Sequence, residues 1–217
     1  MSVRLAVFDC DGTLVDGQAA VCEAMEAAFA GLGLAPPPRG RIRRIVGLSL
    51  PVAIRRLAPD AGEADQAALV DGYRAAFFAM REQGRVSEPL FDGVRELLAA
   101  LRRAGWKLGV ATGKSDRGVL GCFTNHGIVD LFCTVQTADR HPSKPHPAML
   151  EEAIANALAE ARTTVMIGDT VYDIEMARAA GVRPIGVAWG YHAAEELLAA
   201  GAEAVAEDTA HLAELLA

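Results

Sequence analysis

The sequence of 217 residues lacks the cysteine and histidine patterns of several protein classes. Its four cysteines, Cys10, Cys22, Cys122 and Cys133, show neither close pairing nor the two-apart spacing of zinc and redox sites. We expect them to be reduced core residues. The five histidines also lack metal-ligand spacing. These absences argue against a disulfide framework and against a metal site built from histidine.

The chain also lacks membrane and nucleic-acid signals. No unbroken apolar run reaches membrane-spanning length, and Met1 leads into the run at 4–8 without a charged and then apolar leader. We therefore expect a cytoplasmic protein with no membrane partner, acting as a monomer or homodimer. The formal net charge of −7 disfavours nucleic acid. A small phosphorylated metabolite stays compatible, because one metal ion and a few cations can reverse the field inside a cleft.

What is present is a globular composition, with 52% hydrophobic and 23% charged residues. Short runs rich in Val, Ile and Leu alternate with stretches of helical period, which predicts an α/β fold with a Rossmann-like, three-layer parallel sheet core. The predicted strands are 3–8, 106–111, 131–135, 164–167 and 182–187, and the predicted helices between them are 94–103, 116–126, 147–158 and 173–180.

Residues 16–88 interrupt this alternation with helical patterns only, at 19–30, 41–46, 51–57 and 65–82. Turns are indicated by Pro36-Pro37-Pro38, Gly47 and Pro59. We predict that 16–88 forms an inserted helical domain, which we call the cap, and that 1–15 and 89–217 form the catalytic core. The cap sequence contains neither lysine nor histidine.

Polar residues follow the predicted strands at the edge where an open parallel sheet binds ligands. Asp9 and Asp11 follow the first strand, Thr112 and Gly113 the second, Lys144 the third, and Asp169 and Asp173 the fourth. We expect all seven to converge on one cleft.

Asp9 and Asp11 are two apart on extended chain, so both carboxylates point to the same side. One can act as a nucleophile while the other gives a proton to the leaving oxygen, a division of labour that suits phosphoryl transfer. Gly12 allows a tight turn in which backbone N–H groups approach an anion. The structural alternative is an ordinary Asp-Gly turn.

The later motifs are also ambiguous when each is taken alone. Thr112 and Gly113 suit phosphate oxygens, but a Thr-Gly pair also ends many strands. Lys144 lies before a proline that would fix its position, although Lys114 competes for the cationic role. Asp169 can reach a metal such as Mg²⁺, which prefers oxygen ligands, whereas Asp173 also fits the first turn of a helix.

Together, Asp9-x-Asp11-Gly12-Thr13, Thr112, Lys144 and Gly168-Asp169-x-x-x-Asp173 resemble the motifs of the haloacid dehalogenase superfamily, over nearly the whole chain. The helical insertion is similar to that of its capped phosphatase branch, typified by phosphoglycolate phosphatase. Gly17, where many relatives have serine, is a departure that touches no catalytic group.

The resemblance implies a role for each motif residue. Asp9 would form the aspartyl-phosphate, and Asp11 would act as acid and then base. Thr112, Gly113 and Lys144 would hold the phosphoryl oxygens. Mg²⁺ would take the Asp9 carboxylate, the Asp11 backbone carbonyl and Asp169, and Asp173 would support these metal ligands from behind or through Lys144.

The expected function is therefore Mg²⁺-dependent hydrolysis of a small, phosphoglycolate-like phosphate ester. Asp11 argues against dehalogenation, and the lysine-free cap argues against phosphonate cleavage by a Schiff base. The alternatives are a phosphosugar mutase and a non-hydrolytic aspartyl-phosphate signalling protein. Arg43, Arg44, Arg55 and Arg56, near the turn at Gly47, could meet a substrate carboxylate or could lie on a solvated surface.

Overall fold

A computed structural model describes residues 2–217 as six parallel strands flanked by helices. The strands are β1 Leu5–Phe8, β2 Lys107–Thr112, β3 Thr134–Thr137, β4 Thr164–Gly168, β5 Arg183–Val187 and β6 Ala204–Ala206. They form one sheet in the order β3-β2-β1-β4-β5-β6. The predicted α/β, Rossmann-like class is confirmed.

Helices flank these strands, and those before β5 follow the order that the sequence predicts, whereas β6 and the helices after β5 were not predicted. The helices are α1 Gln18–Gly31, α2 Arg39–Arg43, α3 Leu50–Leu57, α4 Glu63–Glu82, α5 Val94–Arg103, α6 Asp116–His126, α7 Ala148–Ala157, α8 Val171–Ala179, α9 Ala194–Ala200 and α10 Thr209–Leu215. Two 3₁₀ turns, Val129–Leu131 and Ala161–Thr163, precede β3 and β4. Residues 131–133, predicted as the start of a strand, therefore lie before β3, which begins at Thr134.

The central strand β1 is buried on both faces. Because side chains alternate along a strand, Leu5 and Val7 pack into an apolar cluster that includes Met149 of α7, whereas Phe8 packs into the opposite cluster with Leu98 of α5. The carboxyl end of β1 is thereby fixed by packing on two sides, and the residues that follow it inherit a defined position.

The four helices α1–α4 lie between β1 and α5 in sequence and contribute to one apolar cluster, which Tyr172 of α8 also joins. Met25, Phe29, Ile42, Ile54 and Leu69 are among its buried members. The chain leaves the sheet layer near Val15 and re-enters it near Leu90. These two segments lie side by side, because the two residues form a β-bridge. This arrangement holds the cap segment over the carboxyl edge of the sheet.

The cysteines agree only in part with the expectation of buried, reduced residues. All four are free thiols, and Cys10, Cys22 and Cys122 are buried, but Cys133 is exposed. Cys133 lies between the 3₁₀ turn at 129–131 and β3, where the chain has not yet entered the sheet. Among residues 2–217, no helix combines the length and apolar character that crossing a membrane requires.

Candidate active site

The sheet order places a ligand crevice between β1 and β4. Chain order runs outward from β1 through β2 to β3 on one side, and from β4 through β5 to β6 on the other. At such a switch point, the loops after the two neighbouring strands diverge and leave a crevice at their carboxyl ends. Asp9 follows β1 and Asp169 follows β4, so these two carboxylates face the crevice from its two sides.

Asp9 is fully buried, and only one of its oxygens has a conventional partner. Oδ1 accepts a hydrogen bond of 2.6 Å from the backbone N–H of Cys10. Oδ2 lies 2.9 Å from Nζ of Lys144 but outside hydrogen-bonding geometry, and no group within residues 2–217 hydrogen-bonds to it. Burial, opposed by Lys144 and reinforced by Asp173, raises the pKa of Asp9 to about 7.

Lys144 is buried between two carboxylates. Its Nζ donates to Oδ1 of Asp173 at 2.6 Å and contacts Asp9, which identifies Lys144 and not Lys114 as the cation at Asp9. Burial acts to lower the pKa of Lys144, but Asp173 and Asp9 hold it above its usual value. Lys144 is therefore charged at neutral pH.

Asp173 owes its position to the start of α8. Its Oδ2 accepts hydrogen bonds from the backbone N–H of Thr170, at 3.1 Å, and from the Thr170 hydroxyl, at 2.7 Å. The Thr170 side chain in turn accepts from the backbone of Asp173, which completes a capping box. The helix-terminus alternative for Asp173 is thus true, and Asp173 also anchors Lys144.

Asp169 is fully buried at the end of β4. Oδ1 accepts from the hydroxyl of Thr13 at 2.8 Å, and Oδ2 accepts from the backbone N–H of Tyr191 at 3.0 Å. Gly12, with φ of +86°, passes so close that any side chain there would clash with the Asp169 carboxylate. Burial, together with Asp173 and Asp9, raises the pKa of Asp169 well above its usual range.

The carboxylates of Asp9, Asp169 and Asp173 form one buried group, with an oxygen of each within 4.8 Å of the others. Three carboxylates against the single ammonium of Lys144 give formal charges of −3 and +1, a net charge of −2. Buried carboxylates repel one another, so they need a nearby cation or bound protons. A set of ligands that are all oxygen atoms suits a hard divalent cation. Among residues 2–217 this is the group of acids that fits a metal ion.

Asp11 turns its side chain away from this group. Both of its oxygens contact Nζ of Lys114, at 2.9 and 3.1 Å, and Lys114 also donates to Oε1 of Glu88 at 2.6 Å. Glu88 then pairs with Arg81 of α4 at 3.1 Å. Burial acts to lower the pKa of Lys114, but Asp11, Cys10 and Glu88 carry it well above its usual value. The group of acids that could hold a metal ion therefore includes Asp173 but not the side chain of Asp11, and the contact of the Asp11 backbone carbonyl with a metal stays a prediction.

Thr112 and Gly113, at the end of β2, lie beneath the cap. Thr112 is buried, and its hydroxyl accepts from the backbone N–H of Lys114 at 3.2 Å. A methyl group on Gly113 would lie 2.5 Å from the carbonyl oxygen of Gly47 and 2.6 Å from that of Leu48. Glycine is therefore required at 113 for the cap turn to approach the sheet.

The same cap turn closes over the nucleophile position. A methyl group on Gly47 would lie 3.6 Å from Oδ2 of Asp9. The backbone N–H of Ser49 donates to the Ser143 hydroxyl at 2.8 Å, next to Lys144. The structure therefore shows the cap in contact with the crevice.

A cavity of about 690 Å³ opens between the cap and the core beside this turn. The core contributes Asp11, Thr112, Gly113, Lys114 and Arg117, and the cap contributes side chains from α1, the turn at 45–51 and α4. Of the seven predicted site residues, Asp11, Thr112 and Gly113 border the cavity, whereas Asp9, Lys144, Asp169 and Asp173 form the buried group next to it.

The cap arginines considered from the sequence do not border this cavity within residues 2–217. Arg44 pairs with Glu196 at 2.6 Å, and Arg56 donates to the Tyr172 hydroxyl at 2.8 Å. Sequence reasoning missed the lining residues of α4, which are Tyr73, Arg74, Phe77, Phe78 and Arg81. Tyr73, Phe77 and Arg81 recur every four residues, and this spacing predicts that they share one face of a helix.

Comparison with known proteins agrees with this geometry. A family model described as "Haloacid dehalogenase-like hydrolase" matches residues 6–187. A relative from Dickeya dadantii, "Probable phosphatase IndB", is 38% identical over 94% of this chain and 89% of its own length. The "Phosphoglycolate phosphatase" of Yersinia pseudotuberculosis is 33% identical over 99% of this chain and 92% of its own length.

A third relative bears another activity in its name. "Tyrosine-protein kinase PtkA" of Mycobacterium tuberculosis is 34% identical over 89% of this chain, which covers 65% of that protein. Among solved structures, that of "a predicted phosphatase from Clostridium acetobutylicum" matches with a TM-score of 0.88 at 23% identity, covering 100% of this chain and 99% of that one. At this identity the match supports the fold.

Proposed function

Because the chain belongs to the haloacid dehalogenase-like hydrolase family and is a phosphatase, we propose that it hydrolyses a small phosphorylated metabolite with Mg²⁺ and an aspartyl-phosphate intermediate on Asp9. The observation that carries the proposal is the state of Asp9. Its Oδ2 is buried 2.9 Å from the charged amine of Lys144 and lies within a group of acids, which is a position that suits a nucleophile.

In the first half of the reaction, Oδ2 of Asp9 attacks phosphorus, and the bond from phosphorus to the substrate oxygen breaks. Asp11, in its protonated form, gives its proton to the departing oxygen. In the second half, Asp11 takes a proton from water, which attacks the phosphorus and releases Asp9 and inorganic phosphate. Asp11 borders the cavity, so it can reach both the departing oxygen and the incoming water.

The phosphoryl oxygens would be held by Thr112, Gly113 and Lys144. Thr112 and Gly113 border the cavity at the end of β2, and the amine of Lys144 provides a fixed positive charge beside Asp9. These groups enclose the reacting phosphorus from two strands of the sheet, which fixes its orientation to Asp9.

The donor set described above fits Mg²⁺. The carboxylates of Asp9 and Asp169 and the backbone carbonyl of Asp11 would hold it, and Asp173 would support the site directly or through Lys144. When bound, the ion supplies positive charge that offsets the acids and the phosphate. Without it, the net negative group would repel the substrate.

Phosphoglycolate is the first compound to test, because a relative that aligns with nearly all of this chain carries that name. We also propose that the enzyme acts in the cytoplasm as a monomer or homodimer. Transfer to a sugar phosphate or to a tyrosine would use the same phosphorylated aspartate. Release of inorganic phosphate without an added acceptor separates hydrolysis from both transfers.

The test is Asp9→Asn, assayed for phosphate release with Mg²⁺. Loss of the nucleophile should lower kcat by at least about a thousandfold, because removing a catalytic nucleophile costs about 10⁶ in well-studied enzymes. Asp130→Asn, in the 3₁₀ turn far from the crevice, is the matched control and should keep full activity. Circular dichroism checks that both variants fold. Full activity of Asp9→Asn would exclude the covalent mechanism.

A further inference from the structure

The cavity next to the phosphate position is larger than a two-carbon acid phosphate requires. Its volume is about 690 Å³, and clefts of about 300–1,000 Å³ are typical of ligands of drug size. Thr112 and Gly113 account for the phosphoryl group alone. The other lining residues, which include five of α4, have to match the part of the substrate that leaves with the oxygen.

The walls of that space are apolar and partly aromatic. Tyr73 and Phe77 of α4 stack with ring centroids 5.9 Å apart, and Phe78 follows them in the lining. Met25 of α1 and Leu48 of the cap turn add aliphatic lining. Flat rings pack well between aromatic and aliphatic walls and gain stacking energy beyond burial.

The cationic side chains that line the cavity are either ion-paired with acids or exposed to solvent. Lys114 is paired with Asp11 and Glu88, and Arg81 with Glu88. A substrate carboxylate would have to displace these ion pairs. Arg74 and Arg117 are exposed, and the Arg117 guanidinium covers the Phe78 ring at 4.4 Å. Within residues 2–217, the cations that line this cavity are therefore ion-paired or exposed, whereas its walls offer apolar contact.

We infer that the substrate is a phosphomonoester whose alcohol carries an apolar ring, with Phe77 and Phe78 contributing to its selection. The phosphate lies at Thr112 and Gly113, and the ring lies along the aromatic face of α4. This inference rests on the proposed function and narrows its substrate from the phosphoglycolate type to ring-bearing esters.

The test compares 2-phenylethyl phosphate with ethyl phosphate and phosphoglycolate in the Mg²⁺-loaded wild-type enzyme. The first two esters release primary alcohols of similar chemistry, so their kcat/KM ratio reports the contribution of the ring. We expect kcat/KM for 2-phenylethyl phosphate to exceed that of each of the other two by at least about tenfold, the scale for burying an aromatic group.

Phe78→Ala tests the aromatic wall, and Phe78 is 38% exposed, so its removal should not prevent folding. The ratio of kcat/KM for 2-phenylethyl phosphate to that for ethyl phosphate should fall by about threefold to tenfold. The control is Leu198→Ala, which removes a side chain that is 50% exposed on α9, outside the cavity. It should leave the ratio as in the wild type.

The outcomes test the ring-bearing substrate separately from the proposed phosphatase activity. Asp9-dependent hydrolysis with equal rates for the two alkyl esters, or with phosphoglycolate preferred, would overturn the ring-bearing substrate and leave the phosphatase proposal standing. A ratio unchanged in Phe78→Ala would overturn the assignment to this wall. Failure to hydrolyse any of the three esters would also overturn the ring-bearing substrate, whereas the covalent mechanism is judged by Asp9→Asn.

Discussion

Two lysines, one buried and one partly buried, divide the acids of the site between them. Lys144 lies between Asp9 and Asp173, with its side chain fully shielded from solvent. Lys114 lies between Asp11 and Glu88, with 8% of its side chain exposed. Each lysine therefore serves one carboxylate of the Asp9-x-Asp11 pair, and the two aspartates, only two residues apart, belong to different charge clusters.

The clusters differ in their charge balance. Around Lys144, three carboxylates oppose one cation, for a net charge of −2. Around Lys114, Asp11 and Glu88 oppose Lys114 and Arg81, for a net charge of zero. The first cluster needs a further cation or bound protons, and the second does not. The charge imbalance thus favours a metal ion at Asp9. Asp11 is instead connected to the cap by ion pairs that include Glu88 and Arg81.

The largest expected effect comes from breaking each cluster at its lysine. Lys144→Met leaves Asp9 and Asp173 buried without their cation and should destabilise the metal-free protein by about 3 kcal/mol, near the lower end for breaking a buried pair, because Asp9 can take up a proton. Lys114→Met should cost only about 1–2 kcal/mol, since Arg81 still neutralises Glu88 and water reaches the cluster.

Urea denaturation in EDTA near pH 8 measures both losses. Each lysine is replaced by the same residue, so each variant is the control for the other. An equal loss, or a greater loss for Lys114→Met, would show that the two clusters do not differ in the way their burial and charge indicate.

The second effect concerns the metal. At about one hundred times its dissociation constant, a ligand stabilises a protein by about 2.7 kcal/mol, which for a chain of this size raises Tm by roughly 5–10 °C. Mg²⁺ should produce this rise in the wild type and in Asp11→Asn, which keeps the backbone carbonyl. Asp169→Asn should abolish it. The same substitution should stabilise the metal-free protein, because it removes one of three crowded acids.

Thermal unfolding with and without Mg²⁺ makes the comparison directly. Loss of the Mg²⁺ effect in Asp11→Asn with its retention in Asp169→Asn would reverse the assignment of the metal to the Lys144 cluster.

The sequence predicted much of the fold because its strongest signals are local. The central strands are continuous apolar runs, and α5 and α6 were predicted with the observed bounds. The segment after β5 was missed because β6 has only three residues and the helices around it have seven each, too short for a periodic pattern to develop.

The residues of the site could be predicted from the sequence, but which lysine pairs with which aspartate could not. Strand order placed the motif residues at one edge of the sheet, and that followed from sequence. Which lysine meets which aspartate depends on loops from distant parts of the chain: Lys144 and Asp173 are 29 residues apart, and Lys114 and Asp11 are 103 apart. No local pattern encodes such contacts, so Glu88 and Arg81 went unnoticed.

The smallest effect is a pH dependence that belongs to the Lys144 cluster. The pKa of Asp9 is raised from 3.8 to about 7 in the folded, metal-free protein. A raised pKa means that the folded state holds a proton that the unfolded state has lost. This contribution favours folding at low pH and disappears as pH rises from about 4 to 7. Mg²⁺ requires the carboxylate and must displace that proton, so its affinity should increase with pH.

Below about pH 7, each displaced proton weakens Mg²⁺ binding by up to about tenfold per pH unit. Calorimetric titrations with Mg²⁺ at about pH 6, 7 and 8 should show this weakening in the wild type and equally in Asp11→Asn, whose substitution lies in the neutral cluster. Asp9→Asn removes one titrating ligand and should flatten the dependence, with Asp169 accounting for what remains. An affinity that stays constant from pH 6 to 8 would mean that Asp9 is already ionised without metal. The field of Lys144 would then outweigh burial, and the charge imbalance that separates the two clusters would be smaller than their geometry implies.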